Sequence, residues 1–105
     1  MAAYRLKFMF DWGSGVCLWS ENSAAQRRFG YAVLTSDLPV PLSMQAELEA
    51  LIDQHDCAMN RDDPASDLLW SDAQVEEFLQ SAQRIYYRLC DALGPDYEVS
   101  FRCRM

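Results

Sequence analysis

The sequence predicts an α+β domain: an antiparallel sheet, built from an N-terminal hairpin and a C-terminal strand, covered on one face by two long antiparallel helices. Three observations carry that expectation. Apolar and polar residues alternate near both ends of the chain, and two long segments between them repeat apolar side chains at helical spacing. Residues that start or stop helices bound the helical segments. The expected order is β-β-(short α)-α-α-β.

Residues 4–12, "YRLKFMFDW", place Tyr4, Leu6, Phe8, Phe10 and Trp12 on one side and Arg5, Lys7 and Asp11 on the other, with Met9 the exception. That period of two is a half-buried strand. Residues 16–20, "VCLWS", make the second strand. Between them stands Gly13-Ser14-Gly15. A phosphate-binding glycine loop leads into a helix, whereas this one leads into strand-like residues, so it reads as a hairpin turn that uses positive φ. Its register is open. A two-residue turn puts Cys17 and Trp19 on the Phe10 face, and a three-residue turn puts Val16 and Leu18 there.

"SAAQRRFG" is a short helix with Asn22 or Ser23 as cap and Gly30 as stop. "YAVLTSDLPVPL" is expected to be extended loop, because Pro39 and Pro41 forbid a helix. The first long helix is expected from Ser43, with Met44, Leu48, Leu51, Ile52, His55, Ala58 and Met59 on one face and Glu49, Asp53 and Asp56 opposite. "NRDDPASDLLW" is a connecting loop. Ser71 caps the second long helix, with Gln74 completing a capping box, and Gly94-Pro95 ends it. The apolar stripe of that helix runs from Val75 through Phe78, Ala82, Ile85 and Leu89 to Leu93. The tail "YEVSFRCRM" alternates again and supplies the third strand.

A chain of 105 residues, half of them hydrophobic, is expected to form one domain over 1–105 and not a disordered segment. No apolar run approaches the roughly 20 residues of a membrane span. Arg5, Lys7 and Asp11 interrupt what would have to be the apolar core of a signal peptide, so the expected location is cytoplasmic. The four cysteines are widely spaced, with no CxxC pair, and are expected to be free, buried thiols.

Charge is the most informative feature. The net charge is −7, yet residues 43–77 alone hold ten carboxylates against the single base Arg61, a balance of −9. Both flanking segments are slightly basic. Such a block repels polyanions, so neither nucleic acid nor membrane is an expected partner, and a cationic protein is. The loop "RDDPASDLLW" adds apolar anchors to the acidic groups. Asp53, Asp56, Asp62, Asp63, Asp67, Trp70, Glu76 and Glu77 are therefore the candidate partner-binding residues. Trp70 has a second reading, as a staple packed against the start of its helix.

Other motifs carry less. His55 and Cys57 spell H-x-C, but positions two apart on a helix point about 200° from one another, so His55 reads as a structural histidine and not as a metal ligand. A lone histidine also offers little to a Cys-His or Ser-His-Asp arrangement. Asp62, Asp63 and Asp67 do not meet the calcium-loop pattern. Glu76 and Glu77 lie side by side on a wet helix face, where nothing tunes a carboxyl for acid–base work. No catalytic residue, metal or cofactor is expected.

The stretches "KFMFDWGSGVCLWS", "RRFGY", "VPLSMQAEL" and "LGPDYEV" resemble small bacterial immunity proteins of polymorphic toxin systems, including contact-dependent growth inhibition. The resemblance implies a cytoplasmic, non-enzymatic protein that binds and blocks one toxin domain, commonly a nuclease, with "GSGVCLW" as a structural hallmark and no catalytic residues to carry over. Two other classes stand beside this one. One is a small thiol-dependent enzyme or sensor using Cys17. The other is an adaptor that forms a homodimer or larger oligomer through a sheet edge.

Overall fold

The structure, a computed structural model, describes residues 2–11, 13–58 and 70–103. Its elements are β1 (Tyr4–Phe8), β2 (Leu18–Ser20), α1 (Ser23–Phe29), β3 (Ala32–Val33), a 3₁₀ turn at Thr35–Asp37, α2 (Leu42–Cys57), α3 (Asp72–Leu93) and β4 (Tyr97–Phe101). The strands form one sheet in the order β3-β2-β1-β4. The α+β class and the expected element order hold, with two differences inside the sheet.

First, β4 pairs with β1 in parallel, from Tyr4 opposite Tyr97 to Phe8 opposite Phe101, so the sheet is mixed and not wholly antiparallel. Alternation tells which face a side chain takes but nothing about strand direction. Direction comes from the end of α3, where Gly94 at φ +82° donates its N–H to Cys90 O and turns the chain back along the helix. The amides of Tyr4 and Arg102 then close the two ends of the parallel pair on Asp96 O and Phe8 O, both at 2.9 Å.

Second, the segment expected to be loop contains β3, which adds to β2 with Leu18 opposite Val33, followed by the 3₁₀ turn. Ser20 guides it there, its amide donating to Tyr31 O and its hydroxyl to Gly30 O. Two residues of strand carry no readable period, which is why alternation could not reveal it. The prolines do keep the segment out of a helix until Pro41. Its fixed φ suits a helix start, and α2 opens at Leu42, one residue before the expected Ser43.

β1 and β2 are shorter than the alternating stretches 4–12 and 16–20. One further ladder bond joins Met9 N–H to Cys17 O at 2.9 Å. Beyond it the chain turns toward the helices, and Phe10 stacks on His55 of α2. Trp12 and Met59 lie outside the described residues. The register pairs Phe8 with Leu18 and Lys7 with Trp19, so Leu18 joins Leu6 and Phe8 on the helix-covered face while Trp19 takes the other face. Cys17, just before β2, is buried in the core.

The helix ends follow the sequence closely. The Asn22 side chain accepts the Ala25 amide at the start of α1 and also the Arg5 amide of β1, tying helix to strand. Ser71 and Gln74 form the reciprocal capping box of α3. A continuous core runs through Leu6, Phe8, Leu18, Val33, Leu48, Leu51, Phe78, Ala82, Leu89 and Val99, drawn from the inner sheet face and the facing sides of α2 and α3. The opposite face of the sheet carries Arg5, Lys7, Trp19, Ala32, Glu98 and Ser100.

Candidate partner-binding surface

An aromatic joint ties the hairpin to the two long helices. Phe10 from the hairpin stacks on His55 with ring centroids 5.2 Å apart, and Phe78 of α3 meets Phe10 edge-on at 5.2 Å. Trp70, immediately before the Ser71 cap, packs on Phe78 at 5.3 Å and is half-buried. The hairpin, the end of α2 and the start of α3 therefore meet in one place. Trp70 thus packs against its own helix.

Asp56 and Asp11 rim this joint. Asp56 accepts the Gly13 amide at 3.1 Å, which clips the hairpin loop to the end of α2. Gly13 can offer that amide because its φ of +77° suits glycine alone. Asp53 is exposed one turn back on α2, and Glu76 and Glu77 are exposed in the first turns of α3. Their position near a helix N-terminus is one that the helix dipole favours for negative charge. Asp62, Asp63 and Asp67 lie outside the described residues. Asp11, on the exposed hairpin loop, was missed by the sequence reading, which set it on the polar side of a strand. It joins this rim because the turn folds over toward α2, and its charge is felt at His55 together with that of Asp56. The adjacent Gly-Ser-Gly was the available signal.

His55 is 2% exposed. Burial holds its pKa below the ordinary histidine value, and the two neighbouring aspartates offset only part of that effect. It is a core residue, as its mid-stripe position implied. Cys57, two positions on, is exposed.

Glu47 behaves differently from the other carboxylates of α2. Its Oε1 receives the Arg88 guanidinium at 2.9 Å, joining α2 to α3, and its Oε2 is buried with no hydrogen-bond partner among the described residues. That pair belongs to the packing of the two helices.

The thiols do not look activated. Desolvation raises the pKa of Cys17 above the ordinary thiol value, the Cys103 and Glu49 charges add to the rise, and Cys17 is 1% exposed. Burial pushes Cys103 up to about 12 and raises Cys90 as well. A nucleophilic cysteine needs access and a lowered pKa, and Cys17 has neither. Among the described residues no three His, Cys, Asp or Glu side chains gather as a metal site, and no helix is long and apolar enough to cross a membrane.

The uncovered sheet face holds an open groove of about 480 Å³ lined by Lys7, Met9, Glu21, Phe101, Arg102 and Cys103. Beside it Trp19 lies almost buried, its indole N–H donating to Met9 O at 3.0 Å and its ring 5.4 Å from Tyr31.

A mixed sheet layered with carboxylate-rich helices defines a small α+β protein. The chain belongs to the Serratia CdiI immunity protein-like family, whose description matches residues 4–104. That membership implies a non-enzymatic role. No match was found among curated proteins.

Proposed function

We propose that this protein neutralises a cognate toxin domain by covering it with the acidic helix layer. The toxin domain would be basic and of the nuclease class, and the acidic layer would occupy the cleft that otherwise receives nucleic acid phosphates. In this reading the protein acts in the cytoplasm as one domain, without a cofactor, and binds neither nucleic acid nor membrane. Family membership supports the toxin as partner. The observation that carries the acidic-surface reading is the balance of −9 over residues 43–77, with Asp53 exposed on α2 and Glu76 and Glu77 exposed on α3.

Asp53, Asp56, Trp70, Glu76 and Glu77 are the contact residues within the described part of the chain, with Asp62, Asp63 and Asp67 proposed from the intervening segment. Asp11 is added to them on the strength of its place on the same rim. A field of this kind speeds encounter by about 10- to 1,000-fold and is screened beyond about 8 Å at physiological ionic strength. The test is the association rate with the purified toxin domain. Reversing Asp53, Glu76 and Glu77 to lysine is expected to slow association by about 100-fold and flatten its salt dependence. An unchanged rate would remove the helix layer from the interface.

A further inference from the structure

The outer face of the sheet is bare of helices, and three features say what could cover it. The first is electrostatic exclusion elsewhere. Across α2 and α3 eight carboxylates face two arginines, so two copies of this chain repel one another wherever their helix layers meet. The second is that the sheet edges are poor templates. β3 is only two residues long, and on the β4 edge the Tyr86 hydroxyl already donates to Val99 O at 2.7 Å. The third is the charge pattern of the bare face itself. Lys7 and Arg102 line the groove together with Glu21, while Arg5 and Glu98 pair beside it at 3.6 Å. Cations and anions are interspersed there, so a two-fold axis can set the Lys7 and Arg102 of one copy against the Glu21 and Glu98 of another. Arg102 is exposed and has no ion-pair partner among the described residues.

The apolar content of the face suits the same role. Tyr31 is 53% exposed next to Lys7, to whose ammonium its hydroxyl lies within 3.4 Å, and Met9 is half-buried along the groove. Tyrosine, methionine and arginine are the residue types enriched where proteins meet. From these observations we infer that the outer sheet face is an isologous docking surface for a second copy of this chain, centred on the groove between Lys7 and Arg102. The footprint is small. With strands about 4.8 Å apart and none longer than five residues, or roughly 17 Å, the face covers well under the 800 Å² or so per partner of a standard stable interface. The dimer is accordingly weak and concentration-dependent.

Sedimentation velocity on the full chain tests this directly. The expected result is monomer at about 10 µM and substantial dimer approaching about 1 mM, weakening with added salt. The double variant Lys7→Glu/Arg102→Glu is expected to stay monomeric throughout, as is Glu21→Lys/Glu98→Lys. An equimolar mixture of the two is expected to associate again, because reversal on both sides restores opposite charges. Far-UV circular dichroism checks that each variant is folded, and Tyr31→Glu offers a second disruption on the same face. A wild-type chain that is monomeric at every concentration would overturn the inference. So would a dimer that survives the Lys7 and Arg102 reversals, or a mixture that fails to reassociate. No toxin is present in the experiment, so its failure leaves the helix-layer reading untouched.

Discussion

The two outer faces of this molecule are built on opposite electrostatic plans. The helix layer carries eight carboxylates against two arginines over α2 and α3, whereas the bare sheet face mixes Arg5, Lys7 and Arg102 with Glu21 and Glu98. One face projects a field of one sign over a distance; the other offers short-range complementarity that only a close partner can read. The difference teaches that a net charge of −7 describes neither face. Under the two proposals above it also divides the labour, with a long-reaching surface for a cationic protein and a weak, self-matching one for a like molecule.

Five measurements probe this contrast. The largest effect is expected at Phe8, which is fully buried between the two faces and packs on Phe10 and Phe101. Phe8→Ala should cost about 3–5 kcal/mol of unfolding free energy, measured by chemical denaturation, and weaken both faces together. Next comes the lysine reversal of Asp53, Glu76 and Glu77. Its expected 100-fold or so slowing of toxin association should leave self-association no weaker, while the Lys7/Arg102 reversal should do the opposite. Ser71→Ala, which removes half of the capping box of α3, should cost about 1 kcal/mol in the same denaturation assay.

A smaller effect concerns pH at the aromatic joint. Burial lowers the His55 pKa in the folded protein, so the unfolded chain binds that proton more readily. The stability contributed by neutral His55 is present above the unfolded value of about 6.5 and is lost as pH falls from there through the folded value. With one histidine in the chain, a single imidazole resonance followed by NMR should titrate below the ordinary value. A normal or raised midpoint would contradict the joint as described. Last, a thiol reagent should label Cys57 quickly in the native protein and Cys17, Cys90 and Cys103 slowly, all four becoming equivalent on denaturation. A fast Cys17 would reopen the thiol-enzyme alternative.

Much of the fold could be read from particular residues. The Ser71–Gln74 box, the Asn22 cap, the Gly94 stop and the buried stripe from Phe78 to Leu93 all depend on chemistry within a turn or two, which sequence spacing reports directly. The parallel pairing of β4 was not readable, since Tyr97, Val99 and Phe101 would alternate identically in either direction. Nor was β3, whose two residues owe their strand to hydrogen bonds made by Ser20 and to the neighbouring β2. For the candidate surface, the carboxylates of both helices were evident as a charge block. That Asp11 joins them, and that Glu47 is instead taken up by Arg88, depends on how the hairpin and α3 come to rest against α2.

Local sequence alone told the helices, the three longer strands, the helix caps and stops, the buried faces of the helices and the concentration of negative charge in the middle of the chain. These follow from local periodicity, capping and composition. Tertiary structure alone decided strand direction, the choice of Leu18 over Trp19 for the inner face, and the sorting of charges onto two unlike surfaces. Those outcomes depend on contacts between residues far apart in the chain, such as Gly13 with Asp56 and Tyr86 with Val99, whose partners no local pattern names.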